Sequence, residues 1–139
     1  MISTIAVGTD GTATAGKAVE VAGELARRFD AKLVLLSAFK DLRRPASGES
    51  VELQWATNKP ARVRELLSRA EDAMRREGIN CTTRVAEGDA ADVLVELASE
   101  CDADLLVIGN KGMQRRVLGS VPDSVAHKAP CSVLVVKTT

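Results

Sequence analysis

Apolar residues along this chain alternate between two spacings. Ile2 to Val7, Leu33-Val34-Leu35-Leu36, Leu105-Leu106-Val107-Ile108 and Val133-Leu134-Val135-Val136 are short, nearly uninterrupted apolar runs. Between them, apolar positions recur every three or four residues, which puts them on one side of a helix. Ala18, Val21, Ala22, Leu25 and Phe29 form one such stripe, with Lys17, Glu20, Glu24 and Arg28 between them. Val63, Leu66, Leu67, Ala70 and Met74 form a second, opened by Asn58 as cap and Pro60 in the first turn. Leu94, Leu97, Ala98 and Cys101 form a third, opened by Asp89. A fourth helix is expected near Ser120, with Pro122 in its first turn, and a weaker strand from Cys81 to Ala86. Gly78 stands where a helix C-cap belongs. The pattern predicts five strands and four helices in near-strict alternation. Strands without polar interruption are buried on both faces, so a parallel sheet between two helical layers is expected.

The irregular stretch is Lys40 to Thr57, which contains Arg43, Arg44, Pro45 and Gly48 and reads as a long exposed loop. No internal repeat interrupts the rest. With 139 residues, one domain over 1–139 is expected, long enough to bury a real core.

Charge narrows the function. Lys plus Arg total 19 and Asp plus Glu total 19, a formal net charge of zero. Such a chain lacks the cation surplus of a general nucleic-acid binder or a polybasic membrane anchor. Phe29, Phe39 and Trp55 are its only aromatics, too few for base-stacking platforms. The apolar runs are too short to span a bilayer, and Met1 to Val7 has no basic region leading into a long apolar one. Cys81, Cys101 and Cys131 are odd in number and widely spaced, as expected of buried, reduced thiols in a cytoplasmic protein.

In an open parallel sheet, ligands bind beyond the carboxyl ends of the strands. Those ends carry Gly8-Thr9-Asp10-Gly11-Thr12, Ser37-Ala38-Phe39, Glu87-Gly88-Asp89 and the run Gly109 to Ser120. The last holds Gly109, Gly112 and Gly119, the cations Lys111, Arg115 and Arg116, and Ser120 at a helix start. Glycines let backbone N–H groups approach an anion, and a helix N-terminus adds unpaired donors and a partial positive charge. This suits a phosphate, although a solvated connection with a serine cap has the same composition. Neither a P-loop nor a G-x-G-x-x-G fingerprint is present. Asp10 is either a carboxylate for ribose hydroxyls or a turn residue beside Gly11. His127, the single histidine, falls at a helix end and suits the dipole better than catalysis. One histidine and three scattered cysteines show no metal-ligand spacing.

Val7-Gly8-Thr9-Asp10-Gly11-Thr12, the strand from Asp104 to Gly109, the run from Gly109 to Pro122 and Ala129 to Val136, taken in order, resemble the universal stress protein family across essentially the whole chain. The resemblance implies a five-stranded parallel sheet in the order 3-2-1-4-5 with helices on both faces, the Usp fold. It implies an adenine-nucleotide-binding stress-response protein without catalytic residues, with ATP, AMP or cyclic AMP as ligand and Mg2+ accompanying ATP. Gly109, Gly112, Gly119 and Ser120 match the fixed positions of the family loop G-x2-G-x9-G-[ST], with Val121 following. Asp10, within Gly8 to Gly11, matches the nucleoside-contacting aspartate, and Ala38 falls where a small apolar residue lines the adenine pocket. Arg115 and Arg116 lie in the loop and add charge for phosphate. The departure is length: six residues, Met113 to Leu118, separate Gly112 from Gly119 where the family has nine. The family topology also puts Ser132 to Lys137 at a sheet edge, where a homodimer would form. A nucleotide-free dimeric interaction module and a slow ATPase remain as alternative readings.

Overall fold

The computed structural model describes residues 1–10, 13–39, 60–110 and 121–138, with residues 13–15 described in backbone only. The expected long loop from Lys40 to Thr57 and the Asn58 cap lie outside these residues. The elements run β1 (Thr4–Gly8), α1 (Ala13–Phe29), β2 (Lys32–Phe39), α2 (Pro60–Arg76), β3 (Cys81–Glu87), α3 (Ala90–Glu100), β4 (Leu105–Gly109), α4 (Val121–Lys128) and β5 (Ser132–Val136). The five strands form one sheet in the order β3-β2-β1-β4-β5, every neighbouring pair parallel. The expected fold, including strand order, is therefore the one observed.

Alternation along each strand divides the core into two layers. Ile5, Val7, Leu33, Leu35, Cys81 and Val107 pack on one face against Ala18, Val19, Ala22 and Ala26 of α1 and Leu67 and Met74 of α2. Ala6, Val34, Leu36, Leu106 and Ile108 pack on the other against α3 and against Val121 and Val125 of α4. Two-sided burial is why the runs Ile5–Val7, Leu33–Leu36 and Leu106–Ile108 hold no polar residue. β5 departs from it: Leu134 and Val135 remain 36% and 43% exposed at the sheet edge.

Three helices end in the same way. Ala31 donates to the Ala26 carbonyl, Ile79 to Met74 and Ala103 to Ala98, each bond closing over a residue at positive φ: Asp30, Gly78 and Asp102. Gly78 stands where the sequence placed a cap. The Asp89 side chain accepts the Asp92 N–H and opens α3, also as expected. Two expectations need correction. Phe29 ends the α1 stripe but is 50% exposed, because Val19 and Ala26 fill the core side instead. Of the three thiols, only Cys81 is buried, and Cys101 and Cys131 are half-buried at the rim of the second layer.

Candidate functional site

The chain turns from β1 toward β2 on one side of the sheet, and β4 leads to β5 on the other. The carboxyl ends of β1 and β4 therefore flank the switch point, where the two crossovers diverge and leave a crevice. The register pairs Val7 with Val107. Three residues beyond each in sequence lie Asp10 and Asn110, a polar residue just past the carboxyl end of each of these neighbouring strands.

Two glycines at this end have packing reasons of their own. A Cβ on Gly8 would stand 2.9 Å from Leu94 Cδ1, so the small residue admits α3 against β1. A Cβ on Gly109 would stand 3.2 Å from Thr138 Cγ2. Thr9 continues the ladder past β1 by donating its N–H to the Leu36 carbonyl at 2.9 Å. It is buried, while Asp10 next to it is exposed. Beside Thr9, a cleft of about 240 Å3 runs between α1 and α2, lined by Val19, Leu66, Leu67, Ala70 and Met74 among others. Ala38 is half-buried and packs with the α3 layer, paired in register with Ala86. Val121 is buried in that same layer at the start of α4, so its side chain serves the core. Gly11, Gly112, Arg115, Arg116, Gly119 and Ser120 lie outside the described residues, as does Lys111.

The site-end geometry includes one feature that the sequence reading missed. Asn110 Oδ1 accepts from both the N–H and the Oγ1 of Thr138, at 2.9 and 2.8 Å. Neither residue carries a motif, and a contact across 28 positions leaves no local signal. At the opposite end of the sheet, Asp104 Oδ2 accepts the N–H groups of Ser3 and Thr4 at 2.8 and 3.0 Å, and these bonds hold its carboxyl below the usual value. Burial, reinforced by the Glu71 carboxylate, pushes the Cys81 thiol up to about 11. Burial likewise raises Cys101 and Cys131. His127 is exposed in the last turn of α4, where its ring suits the helix dipole.

A doubly wound parallel sheet with small residues and a carboxylate at its switch point defines the class of open α/β domains, whose ligands as a rule bind at the strand carboxyl ends. Comparison with known proteins makes the class specific. Residues 1–137 match the model of the Universal stress protein family. A universal stress protein of Mycobacterium tuberculosis is 37% identical over 142 residues, covering 98% of this chain and 97% of its own length. A putative universal stress protein of Staphylococcus haemolyticus is 33% identical over 139 residues, covering 96% of this chain and 84% of its own. Among solved structures, a universal stress protein in complex with cAMP superposes with a TM-score of 0.77 at 34% identity, covering 99% of this chain and 98% of that one. A family member from Burkholderia pseudomallei gives 0.74 at 29% identity, covering 97% and 96%. This chain belongs to the universal stress protein family. Among the described residues no helix is long and apolar enough to cross a membrane.

Proposed function

We propose that this protein binds an adenine nucleotide at the β1–β4 switch point and acts as a stress-response regulator. The carrying observation is that Asp10 and Asn110 follow the carboxyl ends of the neighbouring strands β1 and β4, with Gly109, the last residue of β4, the first of three glycines in the sequence before α4. In this reading Asp10 accepts hydrogen bonds from the ribose and Ala38 lines the adenine pocket. Gly8 and Thr9 shape the floor, Thr9 through its bond to Leu36 and Gly8 through its packing on Leu94. Gly11 follows Asp10 in the sequence and belongs to the same site. Gly112, Gly119 and Ser120 hold phosphate, Arg115 and Arg116 add charge, and Val121 anchors the helix that follows. The related structure in complex with cAMP supports an adenine ligand.

The ligand is ATP, AMP or cyclic AMP, with Mg2+ reaching the site on the phosphates of ATP. Among the described residues no group of three His, Cys, Asp or Glu side chains is placed to hold a metal by itself. The protein works in the cytoplasm, which suits three free thiols. It acts as a homodimer joined through the 132–137 strand. A second reading, a nucleotide-free dimeric module, draws on the exposed Leu134 and Val135 at that edge.

Mass spectrometry of ligand released from the purified protein separates the two readings, together with calorimetric titration of AMP and ATP. An adenine nucleotide in the released fraction or a saturable titration is expected, and neither would appear from a nucleotide-free module. Asp10→Ala removes a charge-assisted bond and should weaken binding by about 1.5–3 kcal/mol. Unchanged affinity would remove Asp10 from the site.

A further inference from the structure

The sheet splits at its carboxyl end between β1 and β4. The last paired residues of these two strands are Val7 and Val107. Each strand stays joined to its outer neighbour for longer. β1 continues with β2 through Gly8 and Leu36, and the Thr9 N–H still donates to the Leu36 carbonyl at 2.9 Å. β4 continues with β5 through Gly109 and Val136, and the Asn110 N–H donates to the Val136 carbonyl at 2.9 Å. Asp10 follows Thr9 on one side of the split, and Asn110 stands on the other. The C-terminal tail orients the Asn110 amide. Its Oδ1 accepts the Thr138 N–H at 2.9 Å and the Thr138 Oγ1 hydroxyl at 2.8 Å. A backbone N–H can only donate, so the atom it meets is the amide oxygen, and two donors fill that oxygen's two lone pairs. The NH2 keeps two N–H donors, and among the described residues no acceptor takes them. Asn110 is half-buried, so part of it remains open to a solute.

We propose that the Asn110 NH2 donates to a ribose hydroxyl of a nucleotide held at this split, which makes Asn110 a specificity-determining residue for ribose. This role rests on the nucleotide reading above and adds a donor that Asp10 cannot supply. A carboxylate only accepts, and an amide whose oxygen is occupied only donates. A hydroxyl does both, so the ribose can donate to Asp10 and accept from Asn110. A sugar without hydroxyls leaves the NH2 without an acceptor, and a site built around such a donor discriminates against that ligand. Thr138 prevents the amide from turning its oxygen to the ligand instead, because the turn would break both of its bonds.

The experiment titrates the native protein and Asn110→Asp with AMP and with dideoxy-AMP, in which hydrogen replaces both ribose hydroxyls. Aspartate keeps the size of the side chain and an oxygen for Thr138 but removes the NH2. Its added charge acts on the phosphate of both ligands alike and cancels when the two affinities are compared as a ratio. The native protein should prefer AMP to dideoxy-AMP. In Asn110→Asp that preference should shrink about fivefold, the loss of one neutral hydrogen bond. Amide hydrogen exchange at Thr138 should stay native in the variant. Equal affinity of the native protein for the two nucleotides would overturn the proposal without any variant. So would a variant that weakens both nucleotides by one factor or leaves both unchanged, since the NH2 would then not address the ribose. The nucleotide reading survives each of these results. Faster exchange at Thr138 in the variant would also overturn the proposal, because the retained oxygen would then not be what ties the amide to the tail. A native protein that binds neither nucleotide sinks the nucleotide reading, and this role for Asn110 with it.

Discussion

Gly8 and Leu94 meet where β1 ends against α3: a Cβ on Gly8 would lie 2.9 Å from Leu94 Cδ1 and 3.1 Å from Cδ2. Leu94 is fully buried, so its methyl groups have little room to retreat. Gly8→Ala should therefore overpack this contact and cost about 1–3 kcal/mol of stability. Leu94→Ala alone should cost about 2–5 kcal/mol. The double variant should lose less than the sum, since the space vacated by Leu94 accepts the new methyl. Urea denaturation of the four proteins measures this coupling, and strict additivity would show that Gly8 does not owe its identity to Leu94.

The Asp104 carboxylate ties the start of β1 to the start of β4 by accepting from Ser3 and Thr4. These two bonds, in that order, lower its pKa against a small opposing effect of burial. The unfolded chain therefore holds this proton more tightly than the folded one. The stabilisation is full above the ordinary value of 3.8 and is lost as pH falls through the lower folded value. Asp104→Asn should be less stable than the native protein at pH 7, with the gap narrowing in acid. Urea midpoints at pH 7 and pH 3 test the sign, and a gap that widens in acid would contradict it.

Most of the fold was legible because two-sided burial leaves a plain trace: Ile5, Val7, Leu35 and Leu106 cannot be polar in either layer. Strand order came through the family resemblance, since β1 and β4 are adjacent in space but separated in sequence by three helices and two strands among the described residues. Helix ends were legible where the chemistry is local, as at Gly78 and Asp89. Phe29 was misread because periodicity marks a helix face without saying where that face runs past the sheet. Of the candidate site residues, Asp10 and Gly109 could be picked out by their positions at strand ends. Gly8 could not be assigned a reason without Leu94, nor Asn110 without Thr138, because each reason lies in a distant segment. The exposure of Leu134 and Val135 leaves no trace in the apolar run itself, which resembles the buried ones, and their place at the sheet edge came only through the family topology.

Those two side chains motivate a test of assembly. Among the described residues no strand pairs with the outer edge of β5. An open apolar edge invites pairing with another chain, and pairing with the same strand of a second copy would cover Leu134 and Val135 and engage the free backbone groups. The native protein should be a dimer at micromolar concentration by light scattering. Val135→Lys places a charge at a position 43% exposed in the single chain and should shift the equilibrium toward monomer while the fold persists. A native monomer would remove the dimer, and an undiminished dimer in the lysine variant would place the interface elsewhere.

Loop length should decide which nucleotide is preferred. Six residues separate Gly112 from Gly119, three fewer than the family pattern allows. Each missing residue is one backbone N–H fewer to wrap a β- or γ-phosphate, while the nucleotide reading proposed above leaves Gly112 and Ser120 for a single phosphate. Lys111, Arg115 and Arg116 supply positive charge in the same segment. Flexible side chains must be ordered on binding and their charge is screened when exposed, so they replace fixed amides imperfectly. AMP or cyclic AMP should therefore bind at least as tightly as ATP, and inserting three residues between Gly112 and Gly119 should move the preference toward ATP. Titrations of AMP and ATP on the native and lengthened proteins, with and without magnesium, measure the shift. ATP binding tenfold tighter than AMP in the native protein, a difference of about 1.4 kcal/mol, would mean that the short loop still cradles the whole triphosphate.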